Sequence, residues 1–264
     1  MNGRAHLLSG IFLLAPVLLA FNARGELSLL QTILAGLGIF LGIIAPDFDV
    51  GALSMSYRPL GFYGKKRETS FAVALDKLAG TLGWIFSNIS RFFFFEPLVL
   101  FLHVAGYKGI AKHRGVMHSL FAALLCSCFW VFVLLVGSLI AGVGPQPAFA
   151  FGVGLLVGFL FHLYCDSLTP HGVNWMFPHE FVVHGKIRTG SELYGKGVKF
   201  IESQLFALAA FALSGIALLW LLLYTAASAG FIALLAGFEL LVLAGLLGME
   251  VRVEEFGNWR SSQN

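Results

Sequence analysis

Gly158-Phe-Leu-Phe-His162-Leu-Tyr-Cys-Asp166-Ser-Leu-Thr169-Pro-His171-Gly172 ends a long apolar run on a His and an Asp. Residues four apart on a helix stack on one face about one turn apart, so His162 and Asp166 can both reach one metal ion. An ionisable side chain in or at the end of a membrane segment costs on the order of 2.5 kcal/mol, which marks it as functional by default. A His and an Asp merely wetted by headgroup water is the plainer alternative. The rest of the chain decides between them.

The chain has 264 residues, 58% hydrophobic and only 12% charged. A soluble domain carries roughly 25% charged residues, so this composition belongs to a polytopic membrane protein. The expected fold is an all-α transmembrane bundle of about six spans, at 7–21, 29–45, 116–142, 148–166, 200–224 and 230–249. Residues 1–199 would hold the metal-site domain, and 200–264 two further spans of the same bundle with a short tail. With this count the Lys and Arg residues between spans 2 and 3, between spans 4 and 5 and in the tail share one side with Arg4, and only Arg24 lies opposite. That asymmetry puts the basic side and both termini of this cell-membrane protein in the cytoplasm. It explains the basic loops by topology and anionic membrane lipids, and leaves nucleic acid no role as a partner.

The first run also suits a signal peptide, with a mildly basic start and Ala20-Phe-Asn-Ala23 as a cleavage site; the reading kept is a span. Between spans 2 and 3, the stretch 71–106 is apolar but broken by Asp76, Lys77, Asn88, Arg91, Glu96 and Pro97. Its uninterrupted pieces are too short to cross, so interfacial or re-entrant helices are expected there. Cys126, Cys128 and Cys165 show no metal or redox spacing. Gly36, Gly38 and Gly42 in span 2, and Gly152, Gly154 and Gly158 in span 4, would let helix backbones approach closely.

Four polar clusters stand out. His6 opens the first span. Ala45-Pro46-Asp47-Phe48-Asp49 ends the second, where Pro46 disfavours continuing the helix and leaves two carboxylates on a surface turn. Lys112-His113-Arg114-Gly115-Val116-Met117-His118-Ser119 leads into the third. Two His residues five apart diverge by about 140° on a regular helix, so His113 belongs on the leading turn and His118 in the first helical turn. His162 and Asp166 end the fourth. After it, Arg188-Thr189-Gly190-Ser191-Glu192 offers a guanidinium, hydroxyls and backbone N–H groups to an anion, as Arg114 does. His171, His179 and His184 are weaker candidates, and Glu239 has no assigned role.

Each cluster would be a local accident by itself, but all four fall on one side of the bundle. Their seven side chains (His6, Asp47, Asp49, His113, His118, His162 and Asp166) suit two divalent ions, and mixed imidazole and carboxylate favours Zn, Mn or Fe. Asp49 would serve as ligand or general base, and Arg114, Arg188, Thr189 and Ser191 would hold a substrate anion.

Pro46-Asp-Phe-Asp49, His113-Arg-Gly-Val-Met-His-Ser119, His162-Leu-Tyr-Cys-Asp166-Ser-Leu-Thr169-Pro-His-Gly172 and Arg188-Thr-Gly-Ser191, in this order, resemble the motif series of the YdjM-type inner-membrane metal-dependent hydrolases. The resemblance runs from His6 to about Glu192, with Met117 where that family is expected to have Thr. It implies a metal-dependent hydrolase of poorly defined substrate. The family has also been labelled LexA-binding, which no residue here supports. The His-x-x-x-Asp helix is more faintly similar to that of zinc-dependent phospholipase C. The expected function is therefore a membrane phosphoesterase acting on a lipid or amphiphilic phosphate. The alternatives are a metal or proton transporter, or a non-enzymatic scaffold. Oligomeric state is not legible.

Overall fold

The computed structural model describes residues 3–50, 70–107, 115–169, 172–177, 179, 181–185 and 250–252. Helices α1 (Gly3–Ala23) and α2 (Leu29–Ile44) form an antiparallel pair. Gly25, at φ 71°, makes the tight turn between them. Ser28 then caps α2 in a reciprocal box with Gln31, whose N–H reaches Ser28 Oγ at 3.3 Å while its side chain takes the Ser28 N–H at 2.7 Å. Past Ile44 the chain tightens into a 3-10 turn, Ala45–Val50, as Pro46 leads one to expect.

Helix α6 (Gln146–Ser167) lies against α2 along two pairs of glycines four residues apart. A Cβ on Gly38 would overlap the backbone at Phe151 and Leu155, and one on Gly42 the Leu155 carbonyl. Gly154 and Gly158 meet the Ala35 and Ile39 carbonyls in the same way. The other two glycines singled out in the sequence serve different neighbours: Gly36 faces Leu18 of α1, and Gly152 faces Val131 of α5 (Leu120–Ile140). Backbone contact fixes the α2–α6 spacing more tightly than side-chain packing could.

The third span begins later than its hydropathy suggests. Val116–His118 is a separate 3-10 turn, and Ser119, in extended conformation, caps α5 by accepting the Ala122 N–H at 3.2 Å. His118 therefore precedes the helix instead of lying in its first turn, because a Ser that caps cannot also be helical.

Between α2 and α5 runs a long helical rod: α3 (Ser70–Ser90), a π turn (Arg91–Phe95) and α4 (Glu96–Val104). Of it, Gly80–Val104 is 25 residues long and apolar enough to cross a membrane, where the sequence suggested only short interfacial or re-entrant pieces. The interruptions are absorbed locally. Arg91 pairs with Glu96 at 3.1 Å, Asn88 Nδ2 donates to the Trp84 carbonyl at 2.8 Å, and Pro97 sits in the first turn of α4, where the helix needs no N–H from it.

Leu29–Asp47, Leu120–Ile140 and Gln146–Ser167 are the other stretches of this kind among the described residues. The first expected span lies within α1, which is not one of the four; the fifth and sixth lie outside the described residues. Leu139, Ile140, Phe132, Val153 and Ile33 are more than half exposed on the outside of the bundle, as lipid-facing residues are. Leu155, Phe159, Leu163, Met117 and Ala122 fill the inside.

The expectation of an all-α chain needs one correction. A small antiparallel sheet, in the order β1 (Val173–Asn174), β2 (Val182–His184), β3 (Glu250–Arg252), covers one end of the bundle. It is tied to the helices there. Leu120 N–H donates to the Trp175 carbonyl at 2.9 Å, Trp175 Nε1 to Ser167 Oγ at 2.7 Å, and Gly185 N–H to the Thr169 carbonyl at 3.0 Å. Such pieces are too short for a period-2 pattern to betray them.

Candidate metal centre

At the end covered by the sheet, α1 begins, α2 ends, α5 begins and α6 ends. Each delivers a chemically active side chain. His162 and Asp166 come from the last turns of α6, Asp47 from the turn after α2, His118 from the turn before α5 and His6 from the first turns of α1.

Two of the imidazoles, His118 and His162, each lie beside the same two carboxylates, Asp47 and Asp166. His118 Nε2 lies 3.8 Å from Asp47 Oδ1 and 3.6 Å from Asp166 Oδ2. His162 Nε2 lies 3.7 Å and 3.6 Å from the same two oxygens. These separations are too long for hydrogen bonds. Ligand atoms about 2.05 Å from a tetrahedral ion stand roughly 3.3 Å apart, so these imidazole–carboxylate separations are slightly wider than those of a filled shell. Asp47, His118 and His162 offer ligand atoms all within 4.8 Å of one another.

The orientation of His162 is fixed from behind. Its Nδ1 lies 2.6 Å from the Ile43 carbonyl, which can only accept, so Nδ1 carries the proton and Nε2 presents a lone pair. The carbonyl is available because of Pro46. In the 3-10 turn the Ile43 oxygen would look to residue 46 for an N–H, and proline has none.

His6 and Asp166 form an adjoining pair. His6 Nε2 is 3.2 Å from Asp166 Oδ1, and its ring stacks on His162 with centroids 4.3 Å apart and planes 7° from parallel. Asp166 therefore turns one oxygen to His6 and the other to His118 and His162. His6, His162 and Asp166 make a second possible ion-holding group, but the His162 Nε2 lone pair can serve only one ion.

Charge favours a cation here. Asp166 is 4% exposed, and two carboxylates face each other across imidazoles that supply no net charge when neutral. A divalent ion would neutralise both. Asp47, at 15%, is the most exposed of the four candidate ligands, so the centre opens to the outside on the Asp47 side.

The structure thus brings together His6, Asp47, His118, His162 and Asp166. The Asp49 side chain, His113, Arg114, Arg188, Thr189 and Ser191 lie outside the described residues, as does His171. His179 and His184 are described and join neither ion-holding group. Met117 is fully buried in the apolar core beside the centre, with no hydroxyl to offer a ligand. Sequence reasoning missed the supporting groups. The Ile43 carbonyl could have been found from Pro46 three residues on, whereas the hydrogen bond from Trp175 to Ser167 had no signal in the sequence.

The family described as YdjM inner membrane protein matches residues 1–238. No curated protein and no solved structure matches the chain.

Proposed function

For a chain that belongs to the YdjM inner membrane protein family, we propose metal-dependent hydrolysis of a phosphoester, carried by a lipid or other amphiphile, at the cytoplasmic face of the membrane. The observation that carries this reading is the pair of buried imidazoles, His118 and His162, each 3.6 to 3.8 Å from the carboxylates of Asp47 and Asp166. The donor set fits Zn, Mn or Fe. Such an ion, when bound, would lower the pKa of water to about 7 and offset charge on a phosphoryl oxygen.

The chain's own groups do the positioning. The Ile43 carbonyl sets the His162 tautomer, and Asp166 turns one oxygen to His6 and the other to His118 and His162. Substrate and water arrive on the Asp47 side. Asp49 and His113 are proposed to complete a second ion position with His6 and the outer oxygen of Asp166, Asp49 acting as ligand or general base. Arg114, Arg188, Thr189 and Ser191 are proposed to hold the substrate anion.

The test is phosphate release by purified protein from lipid and soluble phosphoesters with Zn, Mn or Fe, alongside elemental analysis. Turnover that disappears in a His162→Ala, Asp166→Ala double variant together with the bound metal supports the reading. Absence of turnover on every phosphoester, with metal content unchanged in that variant, overturns it. Four protein ligands also support a second reading, a structural ion that ties three helix ends, since structural sites are closed in this way. Metal-dependent stability without turnover would favour that reading. Metal uptake into proteoliposomes would instead favour a transporter.

A further inference from the structure

The Arg91–Glu96 pair lies at a depth where neither charge belongs unless something covers it. The depth follows from the packing of the rod on α5. Trp130 Nε1 donates to Ser90 Oγ at 2.9 Å, and the Trp130 ring stacks on Phe86 with centroids 4.7 Å apart. Trp130 is the eleventh of the 21 residues of α5, its midpoint. A helix of that length is about 31 Å long, close to the thickness of the bilayer's hydrocarbon core. Ser90 is therefore held near the bilayer midplane, with Arg91 beside it and Glu96 about 7.5 Å further along the axis.

Both side chains face outward there. Arg91 is 50% exposed and Glu96 54%, and Phe92 and Phe93 between them are 66% and 62% exposed. The hydrogen bond from Arg91 Nε to Glu96 Oε1 uses one of five guanidinium N–H donors and one of two carboxylate oxygens. A headgroup lies about 15 Å from Arg91, beyond the reach of its side chain, so snorkelling does not satisfy its remaining donors, whereas Glu96 stands roughly 7.5 Å from the boundary. Polar groups left this way in hydrocarbon are costly.

We propose that this face is a self-association surface, on which two copies of the chain meet about a two-fold axis and Arg91 of each pairs with Glu96 of the other. A second copy is favoured because the face carries one cation and one anion, which makes it complementary to itself under two-fold symmetry. The flanking Phe92 and Phe93 supply apolar contact on either side. The inference is independent of the metal chemistry and rests on the rod's being embedded in the membrane.

Disulfide crosslinking in native membranes tests it, with Phe93→Cys in a Cys128→Ser background, since Cys128 is the exposed native thiol. The background chain is expected to crosslink to a dimer. Arg91→Glu and Glu96→Arg, each alone, should lower the crosslinked fraction about tenfold, because each sets like charges against each other across the axis. Co-expressing the two variants with different tags should restore a mixed dimer: the acidic groups at 91 and 96 of one chain then face the basic groups at 96 and 91 of the other. The pair within each chain stays broken, so a purely intrachain role predicts no recovery, and that result overturns the proposal. Should a like-charged chain fail to fold, Arg91→Gln and Glu96→Gln replace it, and each should still lower crosslinking. A background chain that remains monomeric also overturns it.

Discussion

His162 and Ile43 are 119 residues apart in sequence, and the imidazole donates to the carbonyl at 2.6 Å. That bond joins the end of α2 to the ligand-bearing turn of α6. Asp47 follows one of these helices and His162 and Asp166 end the other, so the geometry of the candidate centre is the geometry of this helix pair.

Pro46→Ala tests the bond without touching a ligand. An alanine restores the N–H that the Ile43 carbonyl lacks within its own turn, and that N–H competes with His162. Loss of a group that orients a metal ligand typically costs 10- to 100-fold in affinity, so a fall of about tenfold is expected by isothermal titration with Zn. Unchanged affinity would show that the carbonyl does not orient the ring.

The glycine contacts should control metal affinity from a distance. Gly42→Ala and Gly158→Ala each drive a Cβ into a carbonyl of the facing helix and force α2 and α6 apart. Overpacking of this kind costs about 1 to 3 kcal/mol. Both stability and metal affinity should fall, as read by thermal melting and metal content. Gly36→Ala, whose nearest neighbour is a flexible Leu18 methyl at 3.4 Å, should leave both close to the parent values.

The ion should hold the helix ends together. A ligand at about one hundred times its Kd contributes roughly 2.7 kcal/mol of stability, or about 5 to 10 °C in melting temperature for a chain of this size. Chelation should lower the midpoint by about that amount. In His162→Ala, Asp166→Ala chelation should do nothing, because the ligands are already gone. An equal drop in both proteins would place the ion's effect elsewhere.

Metal affinity should fall with falling pH. The ion competes with protons for the imidazoles, so binding releases protons and weakens as pH drops from about 8 to about 6. Titration in two buffers of different ionisation enthalpy would report the released protons directly. Affinity independent of pH over this range would count against histidine ligation.

Removing the Ser119 cap should shift His118. Ser119→Ala leaves the Ala122 N–H without its acceptor and removes the Ser119 hydroxyl bond to the Val116 carbonyl, made at 2.6 Å. A lost cap costs about 1 kcal/mol. Metal affinity should drop with it, whereas Ser119→Thr, which keeps the hydroxyl, should retain most of both.

The amino-acid sequence by itself determined that the chain is membranous, that His6, Asp47, His118, His162 and Asp166 stand near apolar helix ends, and that glycines in two of its apolar runs permit close packing. These are local properties of hydropathy, residue type and spacing, and they need no partner to be read. Tertiary structure decided which candidates meet. It set the imidazoles of His118 and His162 beside the same two carboxylates and placed His6 against the outer oxygen of Asp166. It also carried the helix of 80–104 through Arg91, Glu96 and Pro97 and laid a small sheet over the site. None of this is local: a carbonyl freed by Pro46 acquires its role only when α6 arrives, and a charge pair at residue 91 gains a depth only when Trp130 takes hold of Ser90.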